Sequence, residues 1–202
     1  MIPEDKSDST ATTIGVGTMR PASEESAQPL VPLEADAPWS QPFCPHCGSR
    51  LVLRNQAEDG MEPWCPTCGT WRYPSFSVAC SMIVLDPTAS QVLTIDQYHK
   101  QGILVAGYVL RGQDLQETIR REVMEEVGLE VADIVYNASS FYERSNTLMV
   151  NFACRATSGE VHTDHEVDSW HWVPREEAVD HMKPGSLAQD FVRTYLEKLP
   201  RA

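Results

Sequence analysis

Four of the six cysteines fall into two pairs, Cys44/Cys47 and Cys65/Cys68, with the spacing C-x2-C-x17-C-x2-C. Two such knuckles can bring four thiolates round one tetrahedral Zn²⁺, and a segment this short owns no core without a staple of that kind. Gly48 and Gly69 each follow the second cysteine of a pair, where the backbone must turn tightly for its amides to face the sulfurs. A closed four-cysteine shell stabilises the fold and performs no chemistry. The alternatives for these pairs are redox-active dithiols or free thiols. A disulfide framework fits poorly, because six cysteines in 202 residues are few and unevenly placed. His46, inside the first knuckle, reads as a solvent-facing spacer, and Cys80 and Cys154, in apolar stretches, as buried core thiols.

Residues 41–74, the ribbon so defined, separate two segments of different character. Residues 1–40 hold five prolines, seven acids and only Lys6 and Arg20 as bases, which reads as a disordered acidic tail, with a partner-binding arm as the alternative. Residues 75–202 alternate strand and helix patterns. Strands are expected at 77–85, 91–95, 131–136, 147–156 and 167–173, and a short apolar run at 103–105 leads into Gly107. Apolar residues at 115, 119, 123 and 127 form a helical stripe closed by Gly128, and two more helices are expected at 175–182 and 186–198, the last with Ser186 as N-cap. Strands and helices mixed in this way imply an α/β or α+β sandwich.

The net charge of −13 repels a polyanionic backbone unless cations intervene, so duplex nucleic acid is a poor partner. No apolar run approaches the roughly 18–20 residues needed to cross a bilayer, and the first ten residues are acidic instead of forming a basic leader. A soluble cytoplasmic protein with no membrane partner is the expectation.

Residues 107–129, "GYVLRGQDLQETIRREVMEEVGL", carry the chemistry. Glu122, Glu125 and Glu126 stand at i, i+3 and i+4, on one side of the helix beside the apolar stripe. Like charges so placed repel and need compensating cations, and hard oxygen ligands on a rigid helix suit Mg²⁺ or Mn²⁺ with the phosphates of a substrate. The plain alternative is a solvated acidic face. Against it stands the preceding loop, bracketed by Gly107 and Gly112, whose carbonyls can approach a metal and which Arg121 can hold against the helix.

These residues resemble the Nudix hydrolase box, G-x5-E-x7-R-E-U-x-E-E-x-G-U with U aliphatic. Gly107, Arg121, Glu122, Val123, Glu125, Glu126, Gly128 and Leu129 match at the right spacing, and Gln113 stands where the box has its first Glu. A four-cysteine ribbon directly before such a domain is further similar to the NADH pyrophosphatase (NAD diphosphatase) branch, over about 43–196, as are "LVAGYV" before the box and "SNTLMVNF" after it.

The resemblance implies a Nudix α/β/α sandwich with a mixed sheet, and cleavage of NAD(H) into NMN(H) and AMP by metal-assisted attack of water on phosphorus. Glu122, Glu125 and Glu126, the carbonyl near Gly107, and Glu166 as a further ligand or base would hold the divalent cations. Tyr73 and Tyr108 match positions where aromatics stack on a base, the first reaching across from a partner subunit, so a homodimer is implied. Ala188 matches a small residue that lets the backbone approach the nucleotide. Two departures stand out. Residues 139–149, "SSFYERSNTLM", replace the branch's SQPWPFPxS signature, and Gln113 keeps an acceptor for Arg121 while losing the charge-assisted part of the bond, about 1 kcal/mol. Alternative substrates are therefore ADP-ribose, another nucleoside diphosphate linked to a moiety X, or NAD-capped RNA. An alternative class is a nucleotide-binding protein without turnover that docks a partner through its ribbon.

Overall fold

A computed structural model describes residues 31–32, 41–163 and 165–199. These fall into two compact units with the break between Tyr73 and Pro74. The first unit holds a four-stranded antiparallel sheet of β1 (Val31–Pro32), β2 (Val52–Asn55), β3 (Met61–Cys65) and β4 (Thr70–Trp71) in that order. β1 lies inside the segment expected to be a disordered tail and pairs Val31 and Pro32 with Leu53 and Val52. The rest of residues 1–40 lies outside the described residues. The unit's buried centre is Cys44, Leu51 and Cys65, a cluster too small to stand as a core on its own.

The second unit is built on β5 (Ser77–Leu85), β6 (Gln91–Gln97), β7 (Lys100–Ile103), β8 (Val105–Tyr108), β9 (Val131–Tyr142), β10 (Thr147–Ala156) and β11 (Val167–Pro174). The main path runs β11-β6-β5-β10-β9, with β7 on β6 and β8 on β5. β5 and β10 are parallel and the other pairings antiparallel, so the sheet is mixed.

Alternation along β5 sorts the core into two layers. Cys80, Met82 and Val84 face a cluster with Ile119, Val123 and Val127 of α1 (Leu115–Val127). Ile83 and Leu85 face the opposite cluster, with Ala178 of α2 (Ala178–His181), Met182 just after it, and Val192 of α3 (Leu187–Lys198). Helices on both faces of a mixed sheet make the expected α/β/α sandwich. The three α1 side chains are fully buried, and each contributes on the order of 2 kcal/mol by leaving water.

Local chemistry sets the ends of α1. The Asp114 carboxylate accepts from the Glu117 amide at 2.8 Å while the Glu117 carboxylate accepts from the Asp114 amide at 3.2 Å, a reciprocal capping box. Gly128 closes the helix in the left-handed conformation. Two expectations need correction. The helix expected at 175–182 shrinks to α2, because the amide of Arg175 bonds Ser90 O, its guanidinium bonds Ala89 O, and Glu177 and Ala178 make three-residue turn bonds to Pro174 and Arg175. The strand expected at 131–136 continues to Tyr142, carried past a bulge at Asn137 by ladder pairing of Ala138 to Tyr142 with β10, although the small residues 137–140 give no strand signal.

A buried polar row crosses three strands on the α3 face. Asn151 donates to Ser81 O at 3.0 Å, Asn137 donates to the Asn151 side-chain oxygen at 2.8 Å and to Phe191 O at 2.9 Å, and Lys198 donates to the Asn137 carbonyl. The row ties α3 to the sheet.

The β5–β6 turn is held by Asp86, whose carboxylate accepts from the amides of Thr88, Ser90 and Gln91 at 3.1, 2.6 and 2.7 Å and from the Thr88 hydroxyl. Burial alone would raise its carboxyl, but these bonds outweigh it and hold the group below the usual carboxylate range. Asp86→Asn is expected to cost about 1–3 kcal/mol near neutral pH, measured by urea unfolding. Because the native carboxyl is depressed, its contribution is complete above the ordinary Asp value of about 3.9 and is lost as pH falls through the lower native one. The gap between the two proteins should therefore close in acid.

Candidate functional site

In the first unit the four cysteines converge. Their sulfurs all lie within 4.8 Å of one another, with Cys44 to Cys68 at 4.0 Å and Cys47 to Cys65 at 3.5 Å. A tetrahedral thiolate site with metal–sulfur bonds of about 2.3 Å sets its sulfurs about 3.8 Å apart, so the set fits such an ion without rearrangement. Gly48 and Gly69 adopt φ of 72° and 63°, and their amides bond back to Cys44 O and Cys65 O at 2.9 Å. The electrostatics also call for a cation. The Arg72 guanidinium donates to the Cys44 sulfur at 3.1 Å and pulls that thiol down to about 5. Hydrogen bonding with Cys47, burial and the other sulfurs push Cys68 up to about 12. Four thiolates share this space only when a metal ion neutralises them.

Arg72 has no part in the Cys-x2-Cys spacing, and its only trace in the sequence is a cation soon after Cys68. His46 is exposed, as a spacer should be. Cys80 and Cys154, 0% and 1% exposed, are pushed up by burial to about 11 and about 12, so both are protonated core thiols.

In the second unit the acidic helix and the loop before it are locked together by one side chain. Arg121 donates to Tyr108 O at 3.1 Å and to the Gln113 side-chain oxygen at 3.3 Å, and it pairs with Glu122 at 2.7 Å and Glu125 at 2.8 Å. Gln113 thus occupies an acid's usual place and still serves Arg121 as acceptor. The Glu122 carboxylate lies against Gly107, where a Cβ would fall 1.8 Å from its Cδ, so this close approach needs glycine. Burial pushes the Glu122 carboxyl up, and Glu125 and Glu166 push in the same direction against the pull of Arg121. Glu126 is buried at 7% exposure, Glu125 is exposed. Three carboxylates within two turns, two of them paired with one guanidinium, form a donor set suited to a hard divalent cation.

Glu166 sits on the exposed turn before β11, near enough for its charge to help push the Glu122 carboxyl up. Tyr108 is 52% exposed on β8 and anchors Arg121 through its carbonyl. Ala188, in the first turn of α3, packs on the second core layer. Tyr73 belongs to the first unit, where its exposed ring is steadied by hydrogen bonding with Gln56 at 3.0 Å.

A family model for the NUDIX domain matches residues 76–194. The chain belongs to the NUDIX family. The NUDIX match spans the second unit's seven strands and contains the whole acidic helix with its loop. Among curated relatives, "NAD-capped RNA hydrolase NudC" of Photobacterium profundum is 33% identical over 129 residues, covering 63% of this chain and 47% of that protein. The protein of the same name in Pseudomonas aeruginosa is 32% identical over 160 residues, covering 77% and 56%. The chain thus spans about half the length of the curated relatives it matches. Of solved structures, a NUDIX hydrolase from Nitrosomonas europaea superposes with a TM-score of 0.57 at 21% identity, over 77% of this chain and 90% of that one. The NUDIX domain of Shewanella oneidensis NrtR complexed with ADP-ribose gives 0.53 at 13%, over 68% and 94%. Both show the NUDIX fold. Among the described residues no helix is long and apolar enough to cross a membrane.

Cys65→Ser should lower both the metal content of the purified chain and its melting temperature, read by elemental analysis and calorimetry, because a ribbon's folding energy is largely metal-binding energy. A variant that keeps its full metal content would show that Cys65 is no ligand.

Proposed function

We propose that the chain is a divalent-cation-dependent pyrophosphohydrolase that cuts NAD(H) into NMN(H) and AMP. The observation that carries this reading is the Arg121 clamp, which fixes the 107–113 loop on a helix presenting Glu122, Glu125 and Glu126. The donors proposed for Mg²⁺ or Mn²⁺ are these three carboxylates, Glu166 and the Gly107 carbonyl. When bound, such ions neutralise charge developing on the diphosphate and lower the pKa of the attacking water.

The chain's own residues do the rest. Glu166, exposed at its turn and within electrostatic range of Glu122, accepts the proton of the water that attacks phosphorus, and the bridging P–O bond breaks to leave two monophosphates. Arg121 keeps loop and helix in register. The exposed Tyr108 ring offers a face to a nucleobase, and Ala188 lets nucleotide come close to the start of α3. In a homodimer Tyr73 of the partner subunit supplies a second stacking face. One Zn²⁺ per chain at Cys44, Cys47, Cys65 and Cys68 staples the ribbon, and six cysteines free of disulfides suit the cytoplasm.

A second reading is favoured by the names of the Photobacterium and Pseudomonas relatives. The same cut made on NAD at the 5′ end of an RNA releases NMN and leaves a 5′-monophosphate.

Product chromatography on NADH, NAD⁺, ADP-ribose and NAD-capped RNA, with and without Mg²⁺ or Mn²⁺, tests both readings. AMP and NMN(H) released only with the cation support the first, and faster release of NMN from capped RNA the second. A preference for ADP-ribose, or no turnover of any, overturns the NAD assignment. Glu125→Gln and Glu126→Gln should each lower kcat at least a hundredfold. Near-normal turnover by both variants would remove them from the mechanism.

A further inference from the structure

On the α2/α3 side of the second unit, a cavity of about 380 Å³ opens between the β6–β7 hairpin and the end of α2 with the segment that follows it. His99, Lys100 and Gln101 line it from the hairpin, and Asp180, His181, Met182, Lys183 and Pro184 from the other side. None of these residues belongs to the acidic helix or its loop. In a chain of net charge −13 the lining carries two lysines and two histidines against the single acid Asp180.

The walls are rigidly joined. Gly102 O accepts from the Lys183 amide at 3.3 Å, and a Cβ on Gly102 would fall 2.3 Å from His181 O, so hairpin and segment touch backbone to backbone. Beneath them the Asp96 carboxylate accepts from the Gly102 amide at 2.9 Å and from the Ser169 hydroxyl at 2.7 Å, with His171 Nε2 at 3.7 Å. The His171 ring meets the His181 ring edge to face at 5.7 Å. Asp96 is thus committed to the scaffold.

The hairpin tip is also strained. Tyr98 and His99 both adopt positive φ, 50° and 62°, across the Gln97 to Lys100 pair. A two-residue turn of this kind favours Asn and Gly, and bulky side chains there cost on the order of 1 kcal/mol or more each. Such strain is retained at ligand clamps, and here it delivers His99 and Lys100 to the cavity rim.

We infer that this cavity is a binding site for a phosphate group, separate from the carboxylate helix and held by Lys100, Lys183, His99 and His181. The exposed Lys100 and Lys183 that line it repel a metal cation and attract an anion, and the imidazole and ammonium N–H groups lining it from two segments of chain suit the oxygens of a phosphate. The phosphate could belong to a free mononucleotide or to a polynucleotide backbone.

Amide NMR and calorimetry on the full chain, with no added divalent cation, test the site while the carboxylate helix lacks the cations it needs for phosphate. The inference does not depend on the hydrolase reading, since no turnover is measured. Inorganic phosphate and AMP should shift the amides of 99–101 and 180–183, and adenosine should not. The Lys100→Gln/Lys183→Gln double variant should bind phosphate at least tenfold more weakly, while the Lys100→Arg/Lys183→Arg variant retains binding. Adenylyl-adenosine, a neutral-ended phosphodiester, separates the sources: binding at least tenfold weaker than AMP assigns the site to mononucleotides, and equal binding assigns it to a polynucleotide backbone. Absence of shifts with phosphate and AMP, or undiminished affinity in the Gln variant, would overturn the site.

Discussion

The fan of bonds from Arg121 is the constraint on which the rest of the second unit's chemistry depends. One guanidinium meets a backbone carbonyl of β8, the amide of Gln113 and two carboxylates of α1, so strand, loop and helix are fixed relative to one another by a single rigid fork. Without it Glu122 and Glu125 would lose the guanidinium that pairs with both, and the loop would keep only its Val109 bond to β5, its turn bond from Gln113 to Leu110 and the Thr118 contact with Gln113. With it, the half-buried Glu122 reaches the backbone at Gly107, and the repulsion within the cluster is eased.

The first unit solves the same electrostatic problem in another way. Its four sulfurs are brought together by tight knuckle turns, and Arg72 already takes part of the charge at Cys44. The lowered Cys44, beside the Arg72 guanidinium, and the raised Cys68, hydrogen-bonded with Cys47, are two sides of one unevenly shared negative charge. A metal ion bound there would remove that imbalance and stand in for the missing core. Both units therefore gather anionic ligands with one arginine in support.

Much of this was legible in the chain because local chemistry and tertiary packing agree. The apolar stripe of α1, its Gly128 stop and the Ser186 cap of α3 placed those helices at their observed positions, and the paired cysteines foretold their convergence. Legibility ended where long-range bonds override local preference. Nothing local to Arg175 says that Ser90 and Ala89 will hold it and shorten the next helix. Nothing in Ala138 to Ser140 marks a strand, since β10 supplies the pairing. The Tyr98–His99 turn lacks the residues that announce such a turn, and the part played by Arg72 exists only in three dimensions. The box residues were recognisable by spacing, whereas the commitment of Arg121 to both the Tyr108 carbonyl and Gln113 had to be seen.

The most direct test of this account is hydrogen–deuterium exchange on Arg121→Ala alongside the parent chain. The amides of the 108–113 loop should lose most of their protection while those of α1, held by its capping box and the buried Ile119, Val123 and Val127, keep theirs. Unchanged protection of the loop would show that its order has another source, and the central role given to Arg121 would fall.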